Sequence, residues 1–161
     1  MQQELEQALK LREERKLEDS NSVLMKLVHT FPNDAFINYQ CAWSFDVMGE
    51  ELKALPFYEK AIDLGLLGED LEGAIIGLGS TYRTLGQYEK SHDIFLKGLE
   101  LYPNNKAIKV FFSMTSYNLH NHSQAMEILL NCLVETSSDQ EINKYKKAIT
   151  FYADKLDETW D

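Results

Sequence analysis

The residues that first invite a chemical reading are glycines and histidines. In the stretch EGAIIGLGSTYRTLGQY (72–88), Gly73, Gly77 and Gly79 have the G-x-x-x-G-x-G spacing of a dinucleotide-binding turn. Such a turn needs a hydrophobic strand before it, so that the glycine backbone can approach a pyrophosphate at a helix start. The preceding residues, AIDLGLLGEDLE, do not form that strand, and the nucleotide reading fails on context. His120-x-His122 could contact a metal, but no cysteine or clustered carboxylate stands at ligand spacing beside the pair. Acid pairs such as Glu13-Glu14 and Glu50-Glu51 fall at helix starts or turns, where carboxylates favour the N-terminal dipole. No G-x-S-x-G elbow, Walker loop or H-E-x-x-H pattern is present. The expectation is a protein that is not an enzyme and has no metal or cofactor.

What must position these residues is a repeat. Ile75-x-x-Leu78-Gly79-x-x-Tyr82 is followed by Gly86, Ser91, Phe95, Gly98 and Pro103. The same frame recurs upstream as Asn38, Cys41, Ala42, Phe45, Gly49, Ala54, Tyr58 and Ala61, with Gly49 and Gly86, Ala54 and Ser91, and Tyr58 and Phe95 each 37 residues apart. A further step back gives Ala8, Leu11, Ser20, Leu24, Leu27 and Pro32. A step forward gives Phe112, Ser113, Ala125, Leu129 and Cys132, with His120 in place of the turn glycine.

This frame resembles the tetratricopeptide repeat, whose pattern is W-x-x-L-G-x-x-Y, a turn glycine, A-x-x-x-F, a small residue and a proline, with a period of about 34 residues. The excess spacing implies a three-residue insertion near GLLGED, a loop that also lacks the family proline. The resemblance implies an all-α, right-handed helix-turn-helix solenoid. Four repeats would lie at about 1–34, 35–71, 72–105 and 106–139, forming a single domain over 1–161. Small residues at Ala8, Ala42, Gly79 and Ser113 would let paired helices approach, and Tyr58, Phe95 and Leu129 would fill the space between units. Gly79 is thereby read as a packing glycine.

After residue 139, Ser138 and Glu141 offer a capping box, and Ile142, Tyr145, Ile149, Tyr152 and Leu156 recur at helical spacing. A capping helix over 140–160 is expected, since a solenoid must cover its last apolar face. The segment DETWD, with Trp160, could fold back or reach a neighbouring chain.

Bulk properties limit the partners. The chain has 161 residues, a formal net charge of −10 and 44% apolar residues, and a pI near 4.8. That balance disfavours nucleic acid and anionic membrane surfaces, both of which attract dense basic patches. No run approaches a membrane span or a secretion signal, so a cytoplasmic location is expected. Cys41 and Cys132, distant and in apolar surroundings, read as reduced core residues.

In the tetratricopeptide frame, first-helix positions not spent on packing line a concave groove. They give Phe36, Tyr39, Gln40, Trp43, Gly73, Ile76, Gly77, Arg83, Phe111, Met114 and Tyr117 as the partner-binding set, with Arg12 among the first repeat's groove positions. Chaperone-binding members hold a peptide carboxylate with lysine, asparagine and arginine, and neither frame of this chain supplies that clamp. The groove is instead aromatic and apolar, with Gly73 and Gly77 expected to make room for a guest. The partner expected is a protein or peptide with apolar anchors and basic flanks, because residues 35–71 carry seven acids against two lysines. The chain is similar to small stand-alone bacterial tetratricopeptide proteins. The first alternative is a homodimer whose groove is filled by its twin, and the second is an enzyme or a regulator of an enzyme, with chemistry contributed by a partner or at the His120–His122 turn.

Overall fold

Each helical pair turns on one residue in the left-handed region: Arg15 (φ 60°), Gly49 (72°), Gly86 (73°) and His120 (64°). At every one of these turns the residue's N–H donates to the carbonyl three residues back, and the next N–H reaches five residues back, as in Gly49 to Asp46 and Glu50 to Phe45. This double closure satisfies carbonyls that a helix end would otherwise leave without partners. Glycine meets the backbone requirement without strain at two of the turns, whereas Arg15 and His120 carry it with a side chain attached.

The structure, a computed structural model, describes residues 1–161. Its ten helices are α1 (Gln2–Glu13), α2 (Leu17–Thr30), α3 (Ala35–Asp46), α4 (Glu51–Asp63), α5 (Gly68–Thr84), α6 (Tyr88–Leu101), α7 (Lys106–Asn118), α8 (His122–Thr136), α9 (Gln140–Lys144) and α10 (Lys146–Tyr152). There are no strands, and the helices follow one another as the all-α helix-turn-helix pairs that the resemblance implies. Two compact units result, Met1–Gln87 with α1–α5 and Tyr88–Asp161 with α6–α10. The division falls between the two helices of the third repeat.

In the first unit, small residues let paired helices come close. Ala8, Ala42 and Ala54 are fully buried, and the Ser20 hydroxyl donates to the Ala8 carbonyl at 2.7 Å. Leu24, Ile37, Tyr58 and Ile75 fill the core around them. The Asp34 carboxylate caps α3 by accepting from the Ile37 N–H at 2.9 Å. The three-residue insertion appears as helix: α5 has 17 residues against 12 in α3. Its added first turn begins at Gly68, which has φ 58°.

The second unit repeats these devices. Asn105 caps α7 through the Ile108 N–H at 2.9 Å, and the buried Ser91 and Thr115 hydroxyls share a hydrogen bond of 2.7 Å. Phe95, Ile108 and Phe112 form its core. Two expectations are corrected here. Leu129 does not fill an inter-repeat space as Tyr58 and Phe95 do; it is 37% exposed, because α8 is packed on that side only by the short α10. The single capping helix over 140–160 is instead α9 and α10, broken at Tyr145 (φ −100°, ψ 7°) and finished at Tyr152. Asp139, not Ser138, caps it, accepting from the Ile142 N–H at 3.0 Å. Of the residues after 139 only Ala153 is buried, so the apolar side chains Tyr145, Phe151, Tyr152 and Leu156 stay open to solvent.

Candidate functional site

Helix α3 has apolar residues on nearly every side, which gives it no single buried stripe. Its position explains the pattern: α3 packs against α2, α4 and α5 at once. Ile37, Tyr39, Gln40, Cys41, Ala42 and Phe45 are buried, and Trp43 is the ring left open, at 39% exposure.

Trp43 is held from two sides of the sequence. The Tyr39 ring, one turn earlier, stacks against it with centroids 6.0 Å apart and planes at 22°. From α1, the Arg12 guanidinium carbon lies 3.9 Å from the Trp43 centroid, a cation–π contact. Arg12 Nη2 donates to Gln40 Oε1 at 2.7 Å, while Nη1 is buried without a hydrogen-bond partner. Half-burial lowers the Arg12 pKa from its ordinary value by removing water from the charge. Phe36 meets Tyr39 edge-on at 6.4 Å and extends the aromatic row toward the start of α3.

Beneath this row lies a polar contact. The Tyr58 hydroxyl donates to Asp46 Oδ2 at 2.8 Å. Burial raises the Asp46 pKa, opposed by that hydrogen bond, and burial together with the Asp46 charge pushes the Tyr58 pKa well up. Gly73 and Gly77 of α5 face these tyrosines. A Cβ at Gly73 would come within 3.0 Å of the Tyr39 hydroxyl, and one at Gly77 within 3.0 Å of three Tyr58 ring and hydroxyl atoms. The space above both glycines is thus occupied by the protein's own rings, which corrects the expectation that they make room for a guest. Ile76 and Arg83 of α5 are half-buried. Cys41 is buried beside Met25, and burial pushes its thiol pKa up to about 12, which leaves it unreactive at neutral pH.

In the second unit, Phe111, Met114 and Tyr117 follow one another at three-residue spacing on α7. Phe111 is half-buried and stacks on Phe95 at 6.3 Å, whereas Met114 and Tyr117 are exposed, Tyr117 at 62%. Tyr117 meets His122 edge-on at 4.7 Å, and His122 lies 5.8 Å from His120 between ring centroids. A polar cleft of about 480 Å3 at this turn is lined by His120, Asn121, His122, Ser123 and Gln124. No three His, Cys, Asp or Glu side chains are grouped to hold a metal ion. No helix is long and apolar enough to cross a membrane.

The expected site residues therefore separate into two kinds. Trp43, Met114 and Tyr117 present surface, and Phe36, Ile76, Arg83 and Phe111 present part of theirs. Tyr39, Gln40 and Gly77 are buried and support the others, and Gly73 receives Tyr39. The repeat frame places Arg12 among the groove positions but does not give its contact with Trp43. Its spacing from Trp43 along the sequence carries no signal of the contact, because α1 and α3 meet only through the fold.

The family described as tetratrico peptide repeat matches residues 35–156. Among solved structures, YrrB, "a TPR protein with an unusual peptide-binding site", superposes with a TM-score of 0.72 at 19% identity, covering 96% of this chain and 77% of its own. MamA 41-end from Desulfovibrio magneticus RS-1 gives 0.75 at 11% identity, covering 95% and 85%. Pseudomonas aeruginosa pilF gives 0.70 at 15% identity, covering 99% and 77%. No curated protein matches the chain at a significant level. With the helical pairs, the recurrent left-handed turns and the match over 35–156 in agreement, the chain belongs to the tetratricopeptide repeat family and is, at that level of description, a protein–protein interaction module.

Proposed function

We propose that the surface built on Arg12, Phe36 and Trp43 binds a peptide or helical segment carrying apolar anchors, with the half-buried Ile76 and Arg83 of α5 as further candidate contacts. The observation that supports this most directly is Trp43 itself: a large ring left exposed on an otherwise buried helix, fixed by Tyr39 and Arg12. A ring immobilised before binding loses little side-chain freedom when a guest covers it. Tryptophan and arginine are the residue types that most often dominate binding energy. Met114 and Tyr117 on α7 present a separate apolar surface of the second unit.

Asp46, Glu50, Glu51, Glu59, Asp63, Glu69 and Asp70 lie in the second repeat and the start of the third, so basic residues flanking the anchors are favoured. Three or four buried anchors at about 1.5–3 kcal/mol each, set against an association cost of about 4–15 kcal/mol, make about micromolar the strongest affinity that the anchors alone support. The test is a peptide-display selection followed by calorimetric titration of the selected peptides. Selected peptides should lose at least tenfold in affinity for Trp43→Ala and Arg12→Ala. Equal binding to parent and both variants would end this reading.

A homodimer that covers the same surface with a second copy is the alternative. Trp43, exposed on an otherwise buried helix, would serve such a contact equally, since exposed apolar surface commonly marks a contact. Light scattering across a concentration series separates the two: the dimer reading requires a mass that falls to 18.6 kDa in Trp43→Ala and not in the parent.

A further inference from the structure

The end of the chain divides sharply by charge. Residues 142–153 hold three lysines, Lys144, Lys146 and Lys147, and no carboxylate, whereas residues 154–161 hold four carboxylates against Lys155. In a chain of net charge −10, no other stretch of four residues carries three bases. Part of this charge is satisfied locally: Lys144 pairs with Glu141 at 3.7 Å, Lys155 pairs with Asp154, and the Ser123 hydroxyl donates to Asp157. The side chains of Lys146, Lys147, Glu158 and Asp161 have no such partner and stand exposed. Free bases thus lie at one end of the segment and free carboxylates at the other.

An apolar patch sits between and beside them. Helix α10 packs on α8, and only Ala153 of the segment is buried, with Ile149 one turn earlier half-buried. Residues four apart share one side of a helix, so α10 rests on α8 through a narrow stripe and turns its remaining surface outward. Phe151 meets Tyr152 edge-on at 5.1 Å, and Tyr152 meets Trp160 edge-on at 5.6 Å. Each of the three rings is about half exposed, and Tyr145 stands open at the N-cap of the same helix. With about 150–250 Å2 offered by a whole aromatic side chain, the three touching rings leave about 250–400 Å2 open. Apolar patches of about 300–600 Å2 are the largest that a monomer commonly carries, and they commonly mark a contact.

We propose that this patch is the contact between two copies of the chain, whose α10 segments meet antiparallel about a two-fold axis near Tyr152. The charge order is the reason for a second copy rather than another partner. A wholly basic or wholly acidic guest is repelled by one half of the segment, whereas an antiparallel twin matches both halves. Such a contact is isologous, with each copy giving and receiving the same pairs. It brings Lys146 and Lys147 of each copy toward Glu158 and Asp161 of the other, and Tyr145 toward the other's Trp160. A parallel approach would set lysine against lysine and carboxylate against carboxylate. The three rings of two copies together bury about 500–800 Å2, less than the roughly 1,200 Å2 at which stable specific interfaces begin. The dimer is therefore weak and forms at high protein concentration, with exposed charges setting orientation more than strength. The surface lies wholly in the second unit and shares no residue with the Trp43 site, so either can fail without the other.

The experiment is sedimentation equilibrium of the full chain from micromolar to millimolar concentration. The mass of the parent should rise above 18.6 kDa with concentration, and less so as added salt screens the charges. Lys146→Glu with Lys147→Glu, and Glu158→Lys with Asp161→Lys, reverse exposed and unpaired positions, so the fold is left alone. Each double variant should associate at least tenfold more weakly than the parent, because like charges then face each other across the axis. An equal mixture of the two should recover association to within threefold of the parent, since every reversed charge again meets its opposite. Phe151→Ser should lose association, and Trp43→Ala should keep it. A parent that stays at 18.6 kDa throughout, a mixture no stronger than its components, or association lost in Trp43→Ala and kept in Phe151→Ser would each overturn the proposal.

Discussion

The Arg12 guanidinium carbon lies 3.9 Å from the centroid of the Trp43 ring, which ties α1 to α3 across 31 residues of sequence. The same guanidinium donates to Gln40, one turn before Trp43 is reached. Two contacts from one side chain thus set both the position of the ring and the entry helix of the first unit.

The expected contribution follows from those contacts. A partly exposed cation–π pair is worth about 0.5–1 kcal/mol, and a hydrogen bond to a charged donor about 1.5–3 kcal/mol before the exposure of this one is discounted. Arg12→Ala should lower stability by about 1–2 kcal/mol in chemical denaturation. A double-mutant cycle with Trp43→Ala should return a coupling of about 0.5–1 kcal/mol, and zero coupling would show that the pair is only adjacent.

Gly77 makes a sharper test. Alanine in a helix interior normally gains about 1 kcal/mol over glycine, so an exposed glycine would predict stabilisation. Here the added Cβ would overlap the Tyr58 ring, which is buried and hydrogen-bonded to Asp46 and so has little freedom to retreat. Gly77→Ala should destabilise by about 1–3 kcal/mol. Gly73→Ala meets only the tip of Tyr39 and should be milder, with the aromatic row displaced and Trp43 fluorescence changed.

The four left-handed turns predict opposite signs at equivalent positions. Gly49 and Gly86 have no atom within 4 Å of where a Cβ would stand, so alanine there tests conformation alone. Each should cost about 1 kcal/mol. His120→Gly and Arg15→Gly relieve the corresponding strain and should raise stability by up to about 1 kcal/mol, with His120→Gly also removing the ring contact to His122. Thermal melting of the four single variants decides it.

Asp46 gives a pH dependence. Burial raises its pKa in the folded state above the ordinary 3.8, so the folded protein holds this proton more tightly than the unfolded chain. Stability from this group is therefore largest at or below the unfolded pKa and declines as pH rises through the folded one. Asp46→Asn removes the charge and keeps an oxygen for the Tyr58 hydroxyl. The variant should equal or exceed the parent in melting temperature at neutral pH, and the difference should move in the parent's favour as pH falls toward 3.8. A parent advantage that grows with pH would contradict the raised pKa.

The repeat could be read directly because its determinants are local. Ala8, Ala42, Gly79 and Ser113 recur where helices must approach, and the turn positions at 15, 49, 86 and 120 keep one backbone shape whether or not glycine occupies them. The break at Tyr145 was not legible: Ile142, Tyr145, Ile149, Tyr152 and Leu156 keep helical spacing across it. Periodicity reports which residues could share a face and not whether the backbone stays continuous.

The candidate site divides along the same line. Composition and spacing were enough to mark α3 and α7 as aromatic and to place Trp43 and Tyr117 on candidate surfaces. Only tertiary packing decided that Tyr39 and Tyr58 fill the space over Gly73 and Gly77 and that Arg12 reaches Trp43. The physical reason is that a repeat pattern fixes backbone shape through neighbours a few residues apart. Which side chain fills a given void depends on volumes brought together from helices that the sequence keeps far apart.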